Sequence, residues 1–209
     1  MGGDAGWRAT TVFLYDTGLK VPWLRAANAN GAMTWDDANT WASGLSSSAT
    51  AGGTTGWRLP TMADTGNPGC DHAYGGGDCG FNVQTTSSTV FSEMASLWYD
   101  TLGNKAFVTT AGGSQLGGLT KSGDFQNLRP RIYWYGLEHA PRPSSNAWYL
   151  FAGGGAQEFN DFLRPDSPCA MAVRVGDVPV SPIPEPETYA LMLAGLAAVG
   201  AAARRRKSK

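Results

Sequence analysis

Positive charge is scarce in the body of this chain. Lysine and arginine number 16 against 17 acids over 209 residues, yet five of the 16 (Arg204, Arg205, Arg206, Lys207 and Lys209) fall in the last six positions. Up to Val178 there are 11 basic and 15 acidic residues, a net of about −4. A nucleic-acid partner needs a basic footprint, so none is expected. Histidine is almost missing: His72 and His139 are the two present, and neither stands at a telling spacing from a nucleophile. No serine sits in a Gly-x-Ser-x-Gly elbow. Carboxylate pairs such as Glu138 with Glu158, or Asp161 with Asp166, could be drawn from almost any sequence and carry little weight. The chain reads as non-enzymatic.

Cysteine is limited to Cys70, Cys79 and Cys169. The stretch "GCDHAYGGGDCGF" holds the first two in a polar, glycine-rich segment, where a disulfide closing a small loop is expected in an oxidising compartment. The alternative is a pair of thiols on a loop. Zinc on Cys70, His72 and Cys79 fits no standard ligand spacing, and no metal site is assigned. The opening stretch "MGGDAGWRATTVFLYDTG" has no charged segment followed by an apolar one, so no signal peptide is visible. A leader lying ahead of residue 1 is the expectation, given the tail described below.

What the chain has in quantity is glycine, 28 residues, and tryptophan, eight. That composition fits a loop-rich body with large aromatic anchors. "MTWDDANTWASGL" is the clearest helix. Thr34 can cap it, Asp36 and Asp37 occupy the first turn, and Trp35, Ala38, Trp41, Ala42 and Leu45 form an apolar face ending near Gly44. "SSTVFSEMASLWYDTLGN" is a second helix, with Met94, Leu97, Trp98 and Leu102 as its stripe and Gly103-Asn104 as its stop. Both stripes read as core. From Arg131 the pattern turns to strands: "RIYWYGLEH", then "NAWYLFA", a glycine turn and "AQEF", with "CAMAVRV" as a final strand. Helices first and an antiparallel sheet later predict an α+β domain over residues 1–178. A proline-rich linker covers 179–188, and a short apolar helix with a basic stop covers 189–209.

That tail resembles a known signal. Pro184-Glu185-Pro186, the apolar segment Tyr189 to Ala203 and the basic run Arg204, Arg205, Arg206, Lys207 occur in the order of the PEP-CTERM sorting signal of bacterial exported proteins. The resemblance implies processing by exosortase, a transient stay in the inner membrane through the C-terminal helix, and a final place at the cell surface or in an exopolysaccharide and biofilm matrix. The physics agrees. Fifteen helical residues at ~1.5 Å each reach about 22 Å, short of a hydrocarbon core of ~30 Å. Basic residues beyond the segment would stay cytoplasmic and leave the body outside.

The body resembles the Lcl C-terminal domain family of bacterial adhesins, through "FLYDTGLKVPWL", "MTWDDANTWASGL", "GWRLPT", "SEMASLWYDTLGN", "YWYGLEHAP", "AWYLF" and "AMAVRVGD". "GWRLPT" after an amphipathic helix is also similar to the group that joins formylglycine-generating enzymes and C-type lectins. The resemblance implies a C-type-lectin-like single domain with two helices and an antiparallel sheet. It also implies that Trp57, Arg58, Leu59 and Pro60 are structural, in a turn that locks helix to sheet. Two departures stand out: Tyr135 where the family often has Ser, and Cys169 where it commonly has an aromatic, which leaves a buried thiol behaving as a small hydrophobe. The copper-binding cysteine pair of the formylglycine-generating relatives has no counterpart, since Cys70 and Cys79 lie far upstream of it.

Family and composition together point to a non-catalytic carbohydrate-binding or adhesion module. Sugars are held by aromatic faces and planar polar side chains, and Tyr133 to Trp148 is rich in both. Alternation along a strand separates Tyr133 and Tyr135 from Trp134. Trp134 and Trp148 are the expected core, and Tyr135, Glu138, His139, Arg142 and Asn146 the surface candidates for a polysaccharide. By analogy with lectins, calcium is the cofactor that Glu158, Asn160, Asp161 and Asp166 could hold. Neither usual lectin triplet, Glu-Pro-Asn or Trp-Asn-Asp, occurs in the body. A structural matrix protein without a specific ligand is the runner-up, and a polysaccharide-acting enzyme the third reading.

Overall fold

The computed structural model describes residues 7–9 (backbone only), 12–45, 55–66, 77–83, 92–161 and 168–174. The chain divides into two units, Met1–Asp177 and Val178–Lys209, and every described residue belongs to the first. The sorting-signal residues Pro184, Glu185, Pro186, Arg204, Arg205 and Arg206, and the expected tail helix, lie outside the described residues. Among the described residues no helix is long and apolar enough to cross a membrane.

Among the described residues, two helices and two antiparallel sheets give an α+β body. The order departs from the expectation that helices come first. Strands β1 (Trp7–Ala9), β2 (Phe13–Asp16) and β3 (Val21–Leu24) precede helix α1 (Trp35–Gly44). β2 and β3 form a hairpin whose turn is built on Asp16: its Oδ1 accepts from Gly18 N at 2.9 Å and Leu19 N at 3.2 Å, and its Oδ2 from Thr101 Oγ1 at 3.0 Å. Two short strands, β4 (Trp57–Arg58) and β8 (Val173–Arg174), complete this sheet in the order β1-β2-β3-β8-β4. The second sheet is the expected meander: β5 (Ile132–Glu138), β6 (Asn146–Phe151) and β7 (Ala156–Asp161). Cys169 to Arg174 join the sheets. Cys169 bridges Tyr133 in parallel, and Val173 pairs antiparallel with both Trp23 and Arg58.

Helix α1 starts where its sequence says. The Thr34 hydroxyl accepts from Asp37 N at 3.2 Å and donates to the Asp37 carboxylate at 2.7 Å, a reciprocal cap. Ala38, Ala42 and Leu45 face the core, while Trp35 and Trp41 are only partly buried. The second helix begins at Ser92, whose hydroxyl accepts from Ala95 N, and runs through α2 (Glu93–Ala95) into a π-helical stretch (Ser96–Thr101). Met94, Leu97, Trp98 and Leu102 are all buried.

The meander has core on both faces. Tyr133, Tyr135, Trp148 and Leu150 belong to one buried cluster, with Trp98 and Met171. Trp134, Ala147 and Tyr149 belong to a second, with Trp57 and helix α1. Alternation therefore sorts these aromatics between two cores and not between core and water.

"GWRLPT" is the hub that joins the layers. Trp57 is buried in the second cluster. The Arg58 guanidinium makes two bonds of 2.7 Å to the Glu93 carboxylate, which also accepts from Thr61 N at 2.8 Å. Leu59 lies against Gly136, where a Cβ would approach within 3.2 Å, and Pro60 O accepts from Gly136 N at 2.8 Å. Gly136 falls where β5 slips register against β6, as bulges do.

Burial also sets an alkaline limit. It pushes the Tyr99 and Tyr133 phenols up to about 12, and raises that of Tyr135 as well. Folded pKa values above the ordinary ~10 mean that these groups leave stability untouched below about pH 10 and remove it as pH rises toward about 12. Urea midpoints are expected to be flat up to that limit and then to fall, with phenolate absorbance of these three rising only as the chain unfolds. Ordinary ionisation of every tyrosine in a folded chain would contradict their burial.

Candidate functional site

The five sequence-read ligand residues do not form one surface. Tyr135 is 0% exposed. Its hydroxyl donates to Gln157 Oε1 and is in contact with Ser92 Oγ, which itself donates to Gln157 Oε1 at 2.8 Å. The expected surface position is corrected: both faces of β5 are covered, so an outward turn of the alternation still ends in core. His139 is also 0% exposed, against the same expectation. Its ring stacks on Phe159 with centroids 3.7 Å apart and meets Trp148 edge-on at 5.3 Å. Trp134 and Trp148 are buried, and the Trp148 indole donates to Asp64 Oδ2 at 2.7 Å.

The loop between β5 and β6 is tied down. Asp64 Oδ2 accepts from Ala140 N at 2.7 Å as well as from Trp148, and the backbone closes through His139 N to Asn146 O and Asn146 N to Arg142 O. Glu138 and Arg142 remain exposed on it, and Asn146 is partly buried with its amide oxygen accepting from Ser145 Oγ. The glycine-rich segment is held at one end by Gln157, which exchanges two 2.8 Å backbone bonds with Gly80 and donates its amide to Asp78 O at 2.6 Å. Cys79 there is buried and disulfide-bonded. Cys70 lies outside the described residues. Cys169 is buried, and burial pushes its thiol up.

For calcium, Asp166 lies outside the described residues. Of the rest, Glu158 accepts from the Tyr149 hydroxyl at 2.7 Å and Asn160 Oδ1 from Asp161 N at 2.9 Å. Among the described residues no three His, Cys, Asp or Glu side chains come together as a metal site.

A concave feature among the described residues lies elsewhere. A cleft of about 560 Å³ opens between the C-terminal half of α1 and the end of β3, within the ~300–1,000 Å³ range of ligand sites. Leu24 and Leu45 give it an apolar base, and Arg25, Asn30, Thr40, Trp41 and Gln126 complete it with polar groups and an indole. Its β3 side is fixed by backbone bonds: Gln126 N donates to Arg25 O at 2.8 Å, Ala27 N to Gln126 O at 2.9 Å, and Arg25 N to Val12 O at 2.9 Å. Arg25 Nε donates to Asp124 O at 3.1 Å, which fixes the plane of the guanidinium. Sequence reasoning placed Trp41 in the core face. On a wheel of 100° per residue it stands about 60° from Ala38, at one edge of the stripe, with Trp35 at the other. That edge position was the available signal. Arg25 and Gln126, about a hundred residues apart and joined by the Ala26–Gln126 bridge, left none.

Residues 182–207 match the PEP-CTERM protein-sorting motif. The chain is thus marked as an exported protein, membrane-associated before exosortase processes it. No curated protein and no solved structure matches it.

Proposed function

We propose that this chain is a non-catalytic carbohydrate-binding or adhesion module of the bacterial cell surface or exopolysaccharide matrix. The sorting motif at residues 182–207 carries the reading, because it sends the body outside, where polysaccharide is the abundant partner. The tail acts as an address: it holds the body at the inner membrane and is then removed. The body is read as Lcl-like, with a C-type-lectin-like arrangement, and Cys70 as the partner of Cys79 in a disulfide suited to an oxidising compartment. The binding role is supported by the cleft beside α1, which combines an indole face with planar polar side chains.

The test uses protein recovered from the surface of the producing bacterium. Its intact mass is expected to lack Arg204 to Lys209, and non-reducing peptide mapping to link Cys70 with Cys79. It is expected to bind one class of polysaccharide saturably, in assays run with and without calcium. A mass that retains the basic run would make the tail a permanent anchor. A folded protein that binds no polysaccharide would favour a structural matrix protein, the second reading, which draws on the burial of Tyr135 and His139 in the core.

A further inference from the structure

Resting on the carbohydrate-binding reading, we infer that the cleft between α1 and β3 is the glycan site, and that it takes an uncharged polysaccharide segment built of pyranose units. Trp41 is partly buried: it packs against the second core cluster and still lines the cleft. Its indole is thus supported from behind and presented in front. A pyranose ring has a face of C–H bonds, and an aromatic face covers that apolar area without taking water from any hydroxyl. The hydroxyls at the ring edge then need neutral donors and acceptors. Asn30, Thr40 and Gln126 are exposed and line the same cleft. No hydrogen bond among the described residues engages their side chains. Two amides and a hydroxyl, each able to donate and to accept, are therefore on offer to a ligand.

Charge selects within the sugars. Among the described residues lining the cleft, Arg25 is the one ionised side chain. It is already engaged: Nε donates to Asp124 O at 3.1 Å, and the residue takes part in a further interaction. A sugar carboxylate seated here would give up water without an open countercharge, a far larger penalty than a hydroxyl meets. The approach is acidic as well. Asp36 and Asp37 are exposed and stand four residues before Thr40 and Trp41, on the same helix faces. Asp124 is exposed two residues before Gln126. A polyanion meets like charge at this rim, and a neutral chain does not. About 560 Å³ has room for a short stretch of polymer. Backbone bonds hold the β3 side, so little ordering is left there for binding to impose.

The experiment titrates the full-length chain in mild detergent with three neutral polysaccharides (dextran, laminarin and galactomannan) and with alginate, a polyuronate. Wild type is expected to bind at least one neutral chain saturably, more tightly than alginate, with less than about a twofold change as salt is added. W41A should weaken that binding about tenfold or more, the scale of losing an aromatic anchor. N30A and Q126A should each weaken it about fivefold, the scale of one neutral hydrogen bond. W41F, which keeps a ring, should retain most of the affinity. It should also lose the ligand-dependent change in tryptophan fluorescence, which a merely structural role would not remove. Thermal unfolding of each variant separates lost binding from lost folding, and N30A and Q126A trim exposed side chains without touching the backbone bonds. Wild-type binding that W41A, N30A and Q126A leave intact, or that only R142A removes, overturns the cleft assignment while sparing the wider reading. Alginate bound more tightly than every neutral chain, or no neutral chain bound, overturns the uncharged class. Wild type that binds no polysaccharide at all overturns the carbohydrate reading with it.

Discussion

Truncating Glu93 to alanine is expected to lower stability by about 3 kcal/mol, near the lower end of the ~3–5 kcal/mol range for breaking a buried pair. Glu93 as a residue is 4% exposed. It takes both terminal nitrogens of Arg58 at 2.7 Å and Thr61 N at 2.8 Å. Truncation therefore strands a cation and a backbone donor together. The low end is chosen because the Arg58 side chain keeps 33% of its surface in water and recovers part of its hydration. R58M should cost at least as much, since the stranded charge is then the deeper carboxylate. The double variant R58M/E93L should regain most of the loss, because two apolar chains leave nothing ionised behind. Urea unfolding of the four proteins checks the set. A loss below about 1 kcal/mol in E93A would mean that the pair contributes no more than a surface ion pair.

That contact also shows what the sequence could and could not convey. The Thr34 cap, the acidic first turn and Gly44 bracket α1 because capping is local, carried by residues three apart. The meander from Ile132 to Asp161 was legible for the same reason: aromatic strands and a glycine turn are neighbours in the chain. Strands β1 to β3 were missed although "YDTGLKV" holds the Asp-x-Gly signature of a turn, since Pro22 inside "VPWL" argues against a strand. β4 and β8 are two residues each, too short to show any period. Tyr135 was misplaced because alternation reports two faces but not what covers them, and here the cover arrives from Ser92, Gln157 and helix α1, all distant in sequence. The cleft was invisible because it is the meeting of α1 with the Ala26–Gln126 bridge.

The second large effect is expected at Gly155, where alanine should cost about 4 kcal/mol. Backbone strain contributes ~1–3 kcal/mol for a left-handed φ, and overpacking a similar ~1–3 kcal/mol. Gly155 has φ +78°, and an added Cβ would stand 2.6 Å from one carbon of the Trp98 ring, 2.7 Å from another and 2.7 Å from the Tyr99 hydroxyl. Neither ring can retreat. The Trp98 indole donates to Ala152 O at 2.9 Å, the Tyr99 hydroxyl donates to Gly155 O and accepts from Asn82 N at 2.9 Å, and the rings pack edge-to-face at 4.6 Å. The turn that reverses β6 into β7 is thus clamped by the π-helical stretch. Gly113, on the exposed loop, is the control. Its Cβ would meet only Thr109 Oγ1 at 3.4 Å, so G113A should stay within about 0.5 kcal/mol of wild type. Because Gln157, two residues on, holds Asp78 and Gly80, G155A should also loosen the segment that carries Cys79. Hydrogen exchange at the Gly80 and Gln157 amides reads that second effect directly. Unchanged protection there, with an unfolding midpoint like that of G113A, would show that the turn relaxes around a side chain and that the clamp is not rigid.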